Sequence, residues 1–451
     1  MSEYSYPDER RNVNSLLEER LGQDLLDILK RISQIGDRCK VPVFVVGGFV
    51  RDLLLNIPNK DIDIVVECQL ISDFPFLLVS ADDFASMLAK DLDGKVKFHE
   101  RFQTSVVTFP DGYRIDVAMA RSETYEYPAA LPKVKRSELD TDMARRDFTI
   151  NSLAIKLNNQ PNGKGAFCLI DFFNGERDLK NKEIHVLFRS SFIDDPCRLF
   201  RAIKFEQRFG FKIGKQTEEW MRAAIKKDIV DSLSGTRLLN EITLILKEKH
   251  PLKYILRMKE FDLLKYKSSL IILDSADLEA LERIETVLSW TETISLPEKP
   301  EVWSVYLLAI LYSLNDEEFV RILGQLLMPA KLKKSLSMDR YYCKKGLELL
   351  VEDKDWEPEV IYHFFSDLSI EALIYFLAVD STDRANQYAN TYFTQYCGQA
   401  VSLTGDDLVE MGLKPGPIFR SVFKGLREAH LKGAIETRDD EVGWVKKEFL
   451  E

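Results

Sequence analysis

VPVFVVGGFVRDLLLNIPNKDIDIVVE, residues 41–67, carries the decisive pattern of this chain. The apolar, β-branched run that ends at Gly47 and Gly48 reads as a buried strand. RDLLLN (51–56) suits a short helix, IPNK (57–60) a turn, and DIDIVVE (61–67) a second strand. Upstream, Leu16, Leu17, Leu21, Leu25, Leu26 and Leu29 recur at helical spacing and predict one amphipathic helix over 13–40. Downstream, KVKFHERFQTSVVTF (95–109) and YRIDVAMA (113–120) extend the strand-rich region to about residue 120. The expected class is α+β.

Beyond about residue 190 apolar residues recur every three or four positions, glycine thins out and strand signals fade, so 191–451 reads as almost all helix. At ~150 residues per domain, 451 residues make about three domains. Soft boundaries fall near 190, 255 and 400, giving segments 1–190, 191–255, 256–400 and 401–451. The last opens with SLTGDDLVEMGLKPGPIFRSVFKGLREAHLKG (402–433), whose Gly-Leu-Lys-Pro-Gly-Pro marks a turn between helices.

Composition narrows the class further. With 45% hydrophobic and 30% charged residues the chain is not disordered. No run of ~18 apolar residues occurs, which excludes a membrane-spanning helix. The start, MSEYSYPDERRNVNSLLEERL, lacks the apolar core of a signal peptide. Six scattered cysteines without a C-x-x-C pair suit reduced thiols in cytoplasm and give no zinc site. A net charge of −11 argues against generic coating of nucleic acid, which relies on neutralising phosphates. Local basic clusters exist at 131–136, 247–253 and 331–334, with solvated surface as the plainer reading of each.

Asp61 and Asp63 are the strongest chemical signal. Side chains at i and i+2 of a strand share a face, so both carboxylates point one way and Ile62 and Ile64 the other. Two like charges beside so apolar a strand repel and lose hydration, costs that a bound divalent cation relieves. Hard oxygen ligands suit magnesium. Upstream, GGFVRD (Gly47, Gly48, Arg51 and Asp52 among them) offers glycines that let backbone N–H groups approach phosphate, a helix N-terminus, and a guanidinium. Asp116, mid-strand in YRIDVAMA, is a third carboxylate with two open roles: completing the metal site or assisting deprotonation of an attacking hydroxyl. A partly exposed strand position is its plain alternative.

Two further stretches matter, RRDFTINSLA (145–154) and IDDPCRLFRAIKFEQRFGF (193–211). Pro196 fits the first helical turn. Arg198, Arg201 and Lys204 follow at three-residue steps as a cationic ridge that wants an anion. Asp195 stands just before it, either as an N-cap or as half of a base reader. Cytosine and adenine both present an amine donor beside a ring-nitrogen acceptor. A carboxylate at Asp195 and a guanidinium at Arg198 would match that edge and reject uracil and guanine, since each buried unpaired group costs about 1–3 kcal/mol.

In order, GGFVRD, DIDIVVE, RRDFTINSLA, DFFNGERDL (171–179), DDPCRLFRAIKF and GTRLLNEI (235–242) resemble the successive motifs of class II tRNA nucleotidyltransferases, a family that includes bacterial poly(A) polymerases. The likeness covers about 41–245. It implies a DNA polymerase β-like nucleotidyltransferase head with a mixed sheet, then an all-helical neck, body and tail that hold the tRNA acceptor end. It implies Asp61 and Asp63 as metal ligands and two Mg2+ ions. Gly48 and Arg51 fall at the triphosphate, Arg146, Asp195, Arg198, Arg201 and Lys204 around the incoming nucleotide, and Asp147 and Asn151 near its sugar. Lys204 stands where the family often has arginine, and Arg237 and Glu241 match a motif that braces the neck. The implied reaction is attack of a tRNA 3′-hydroxyl on the α-phosphate of CTP or ATP, releasing pyrophosphate, in the cytoplasm and without a membrane or protein partner. Whether all of CCA, only CC or only A is added stays open: within ARSETYEYPAALPKVKRSEL (120–139), ARSETYEYPAALP resembles more the variant of enzymes of partial specificity, but some complete ones carry it too. The alternatives are a poly(A) polymerase, against which the acidic ending DDEVGWVKKEFLE speaks, and an inactive RNA-binding relative, against which the intact aspartates speak. The five histidines show no His-Asp pair, so no phosphohydrolase domain is expected.

Overall fold

The leucine stripe at the start forms two helices, not one. The computed structural model describes residues 11–67, 79–99, 104–110, 112–158, 166–267, 269–294, 296, 298–351, 355–380, 382–397 and 401–450. The first ten residues of the chain, Cys68 and the 100–103 connection therefore lie outside the described residues. Helix α1 (Asn14–Arg20) ends at Leu21 in extended backbone, and α2 (Gln23–Cys39) starts after Gly22, also extended. At the break, the Arg20 guanidinium donates to the carbonyls of Leu53 and Leu54 at 2.8 and 3.0 Å.

The chain divides into two compact units, Met1–Arg237 with Arg257–Lys267, and Leu238–Leu256 with Ser268–Glu451. The segment expected at 191–255 is thus shared between them. In the first unit β1 (Val43–Val46) runs into α3 (Gly48–Leu55) and then β2 (Ile62–Val66). Next come α4 (Ala81–Asp91), β3 (Lys95–His99), β4 (Thr104–Thr108) and β5 (Arg114–Met119). A hairpin of β6 (Arg121–Thr124) and β7 (Lys133–Arg136) leads to α5 (Leu139–Ala144), β8 (Leu153–Lys156), β9 (Cys168–Asp171) and α6 (Gly175–Asn181). The chain continues through β10 (Glu183–Ile184), α7 (Ser191–Asp194), α8 (Cys197–Phe209), β11 (Lys212–Ile213) and α9 (Lys215–Ile225). Seven strands form one mixed sheet in the order β3-β4-β5-β2-β1-β8-β9. Only β2 and β5 pair in parallel; its other ladders are antiparallel.

Burial explains the strand composition. All four residues of β1 and β8 are buried, as expected for central strands covered on both faces. In β2 Ile62 and Ile64 are buried whereas Asp63 is exposed, so the strand turns its acidic edge outward. The expectation that strands fade after 190 holds apart from two-residue ladders such as β10–β11.

The chain then runs through α10 (Gly235–Leu246) and α11 (Pro251–Glu260), where the division between the units falls. Beyond them the second unit comprises α12 (Ser275–Thr291), α13 (Val302–Tyr312), α14 (Asp316–Gln325), α15 (Ala330–Val351), α16 (Pro358–Asp367), α17 (Ile370–Val379) and α18 (Arg384–Thr391). Helices α13 and α17 are apolar nearly all round and buried over most of their length, the property of central helices. Gly346 on α15 allows Phe364 and Phe376 to approach where a Cβ would lie 2.4 and 2.6 Å from their rings. The end of the chain, α19 (Gly405–Glu410), α20 (Pro417–Leu431) and α21 (Arg438–Val445), packs around Leu408, Val422, Leu426 and Val445. The turn expected at Gly-Leu-Lys-Pro-Gly-Pro lies between α19 and α20. Among the described residues no helix is long and apolar enough to cross a membrane.

One close approach supports the region described next. A Cβ at Gly175 would lie 2.2 Å from the Thr149 carbonyl oxygen, so α6 packs against the 149–151 turn only because that position lacks a side chain. Gly175→Ala is expected to lose about 1–3 kcal/mol, the usual cost of overpacking. Urea denaturation should show a lower midpoint with an unchanged slope.

Candidate active site

Gly47 is demanded twice. Its φ of 72° suits a residue without Cβ, and a Cβ there would lie 2.6 Å from Arg146 Nη1. Gly48 opens α3, so the expected short helix begins three residues earlier than its apolar pattern. Arg51, one turn on, is only 5% exposed and fully engaged. Its Nε donates to Asp52 Oδ1 at 2.8 Å and its Nη1 to Asn151 Oδ1 at 2.6 Å, with the Phe205 and Phe209 rings about 5 Å away. Asn151 in turn donates to Asp147 Oδ1 at 2.9 Å, and Asp147 Oδ2 takes Arg201 Nε at 2.8 Å. Burial alone would push the Asp147 carboxyl up, but the Arg201 charge and the hydrogen bonds from Asn151 and Arg201 hold it below the usual range. With both oxygens taken, Asp147 orients Arg201.

Across the cleft lie the carboxylates. The parallel register sets Asp63 directly opposite Asp116, so the two side chains emerge on the same face of neighbouring strands. Asp61 stands exposed just before β2. Asp116 has Arg114 Nε at 3.3 Å, both exposed. Asp63 opens to the cleft yet is ringed by protein atoms. Burial raises its carboxyl, Arg146 lowers it, and the charges of Asp116 and Asp61 raise it again. Among the described residues its carboxylate accepts no hydrogen bond and has no ion pair within 4.0 Å. A like-charged, oxygen-only set left uncompensated in this way fits a divalent cation.

The third wall is α8. Pro196 is the N-cap residue rather than part of the helix proper, with φ −64°. Asp195 Oδ1 accepts the Cys197 N–H at 3.1 Å and Arg237 Nη2 at 2.7 Å, which leaves Oδ2. The capping bond and the Arg237 ion pair thus use only one of its two oxygens. Arg198, 5% exposed, donates through Nη1 to Ser191 Oγ at 2.6 Å and through Nη2 to the Arg145 carbonyl at 2.7 Å. These bonds fix the plane of its guanidinium. Arg237 Nη1 also reaches the Ala129 carbonyl in the β6–β7 connection, at 2.8 Å.

The cleft holds about 560 Å³, and its lining brings together Gly47, Gly48, Arg51, Asp63, Asp116, Arg146, Asp147, Asn151, Asp195, Arg198 and Arg201. Asp52, Asp61 and Lys204 are outside that lining, Asp61 at the strand start and Lys204 buried on α8 near the Phe205 ring. The three-residue ridge therefore delivers two of its three cations, because three-residue steps drift around an α-helix of 3.6 residues per turn. Among the lining residues that the sequence reading did not single out are three charged ones, Arg121, Glu123 and Arg145, and Tyr125. Glu123 is gripped by Arg145 Nη1 at 2.9 Å, Arg121 Nη2 at 3.2 Å and the Tyr125 hydroxyl at 3.0 Å. Arg145 and Arg146 also share the fully buried Asp142. The signal was the alternation Arg121-x-Glu123-x-Tyr125, which puts Arg121 and Glu123 on one face of β6, with Tyr125 just past its end. Burial, reinforced by Glu123, raises the Tyr125 phenol, so it stays protonated and donates.

Because the Asp63 carboxyl is raised in the folded chain, its ionised form opposes folding at neutral pH. Asp63→Asn, melted in chelator at neutral pH, should raise Tm. The gain should shrink as pH falls through the raised value, where Asp63 itself is protonated. An unchanged or lower Tm at neutral pH would contradict the electrostatic reading.

Residues 43–185 match the family model described as "Poly A polymerase head domain", and residues 210–267 match "Probable RNA and SrmB- binding site of polymerase A". The chain is 40% identical to an A-adding tRNA nucleotidyltransferase of Geobacter sulfurreducens, over 97% of this chain and 48% of that protein, so it spans about half the relative's length. It is 28% identical to an A-adding tRNA nucleotidyltransferase of Halalkalibacterium halodurans, over 97% of this chain and 96% of that one. A solved Thermotoga maritima CCA-adding enzyme complexed with tRNA_CCA superposes with a TM-score of 0.74 at 32% identity, covering 98% of this chain and 99% of the other. Sequence motifs, sheet order and full-length likeness agree, and the chain belongs to the tRNA nucleotidyltransferase and poly(A) polymerase family.

Proposed function

We propose that this chain adds a nucleotide from ATP or CTP to the 3′ end of tRNA without a nucleic-acid template, releasing pyrophosphate. The observation that carries the reading is the meeting, in one cleft, of the Asp63–Asp116 pair, the Gly47–Gly48 turn and the Asp195–Arg198 edge. The two A-adding relatives favour addition of the terminal A, and the Thermotoga enzyme keeps complete CCA addition as the second reading.

Asp61 and Asp63, with Asp116 alongside, are the residues that would hold magnesium, two ions in this reading. Bound there, the metal lowers the pKa of the attacking hydroxyl and neutralises charge on the departing pyrophosphate. The protein's own contribution is positioning. Gly47 and Gly48 let the triphosphate lie close to the backbone, while Arg146 supplies charge beside them. Asp195 Oδ2 accepts the exocyclic amine of adenine or cytosine, and Arg198, held flat by Ser191 and the Arg145 carbonyl, donates to the ring nitrogen. Uracil and guanine would set donor against donor or acceptor against acceptor, which is the basis of selection without a template. Catalysis then rests on orientation and fixed charge.

Purified protein should be offered three tRNAs, ending at the discriminator base, at C and at CC, each with CTP, ATP or both. Extension of the CC-ended tRNA alone, with ATP, is expected; growth of all three would indicate complete CCA addition. Long A tracts on unrelated RNA would favour poly(A) synthesis, and no incorporation at all would overturn the proposal. Asp61→Ala should cut incorporation by at least about a thousandfold, of the order that loss of one group central to the electrostatics costs, with the circular dichroism spectrum unchanged. Arg198→Ala should lower kcat/KM for the correct nucleotide by about 5–150-fold, the equivalent of about 1–3 kcal/mol. It should also narrow the preference over UTP and GTP, which a general loss of activity would not do.

A further inference from the structure

The 57–60 turn is tied to α3 more firmly than a connection of that length requires. The Ile57 N–H donates to the Asp52 carbonyl at 2.8 Å, and Asn59 Nδ2 donates to Asp52 Oδ2 at 2.7 Å. Asn59 Oδ1 accepts the backbone N–H of Asp61 at 2.8 Å. The orientation of this amide is unambiguous, because flipping it would face an oxygen with the Asp52 carboxylate and a nitrogen with the Asp61 N–H. Lys60, the next residue, lies over the Tyr113 ring at 5.3 Å. Asn59 is absent from the cleft lining and touches Asp61 only through its main chain.

We infer that Asn59 is a positioning residue for Asp61, and that it ties the acidic pair to the triphosphate side of the cleft. The inference rests on the nucleotidyl-transfer reading of this site. Asp52 is the shared node: one oxygen holds Arg51 and the other holds Asn59. Arg51 passes the constraint to Asn151, and Asn151 passes it to Asp147 and Arg201. A continuous run of hydrogen bonds thus extends from the base-side arginine to the peptide N–H of Asp61. Asp61 lies outside the regular strand, one residue before β2, so the sheet ladder does not fix it; the Asn59 amide does. Partners that orient a metal ligand in this way commonly govern affinity for the ion by 10–100-fold (roughly) when removed.

The test reads ion binding on the protein alone, so it is independent of RNA extension. Mn2+ affinity, from the electron paramagnetic resonance signal of free ion, should fall about tenfold in Asn59→Ala. Asn59→Ser keeps an acceptor for the Asp61 N–H but cannot span to Asp52, and should fall between Asn59→Ala and the unchanged protein. In a double-mutant cycle Asn59→Ala should cost little further affinity once Asp61→Ala is present. If Asn59→Ala melts too early to assay, Asn59→Ser carries the comparison. Unchanged Mn2+ affinity in folded Asn59 variants, or a full additional loss on the Asp61→Ala background, would overturn the assignment. Absence of nucleotide addition by the unchanged protein would instead overturn the functional reading and leave this result standing.

Discussion

A guanidinium removed from water has to be answered by nearby charge and acceptors, and Arg51 imposes that condition on everything around it. Asp52 answers the charge, Asn151 takes a further N–H, and two phenylalanine faces cover the remainder. Asp147 accepts from Asn151 on one oxygen and from Arg201 on the other, so the three side chains hold one another in place. This side of the cleft is therefore a single interlocked polar network. Such networks are rigid when every member is satisfied and costly when one is removed. Because Arg51 lies one turn along α3 from Gly47 and Gly48, that turn is braced by charge as well as by apolar packing.

The opposite wall follows the reverse logic. Asp63 and Asp116 stand side by side in parallel register, and nothing in the protein neutralises Asp63 fully. The fold spends stability here to hold like charges together, a pattern common at functional sites. One wall is complete without a ligand and the other is incomplete without one. That asymmetry between the two walls is what the proposed charged substrate and its ion would exploit.

Much of this arrangement was legible in the sequence. The run from Val41 to Glu67 disclosed strand, glycine turn, helix and strand in order, because short apolar runs and glycine pairs are local signals. The motif resemblance supplied the head and the helical remainder. The break at Gly22 was not legible, since the leucine spacing continues through it. Lys204 was assigned to the cleft by sequence spacing that a real helix does not keep on one face. Arg121, Glu123 and Tyr125 were missed because they belong to a hairpin whose alternation was not applied to polar residues. The opposition of Asp63 to Asp116 depends on strand pairing across fifty residues, which no local pattern encodes.

That last pairing also says something about how the chain tolerates change. Adjacent parallel strands cannot be joined by a tight hairpin, and here the link makes an excursion through α4, β3 and β4 before returning. The alignment of the two aspartates is thus kept by ladder hydrogen bonds and is uncoupled from the length of the connecting path. Lengthening a flexible loop costs only slowly growing entropy, about 0.6 kcal/mol per doubling. Changes of length confined to the turns of that excursion would leave the acidic pair in register, whereas changes within β4 would not, because Val106 pairs directly with Asp116 in the same sheet.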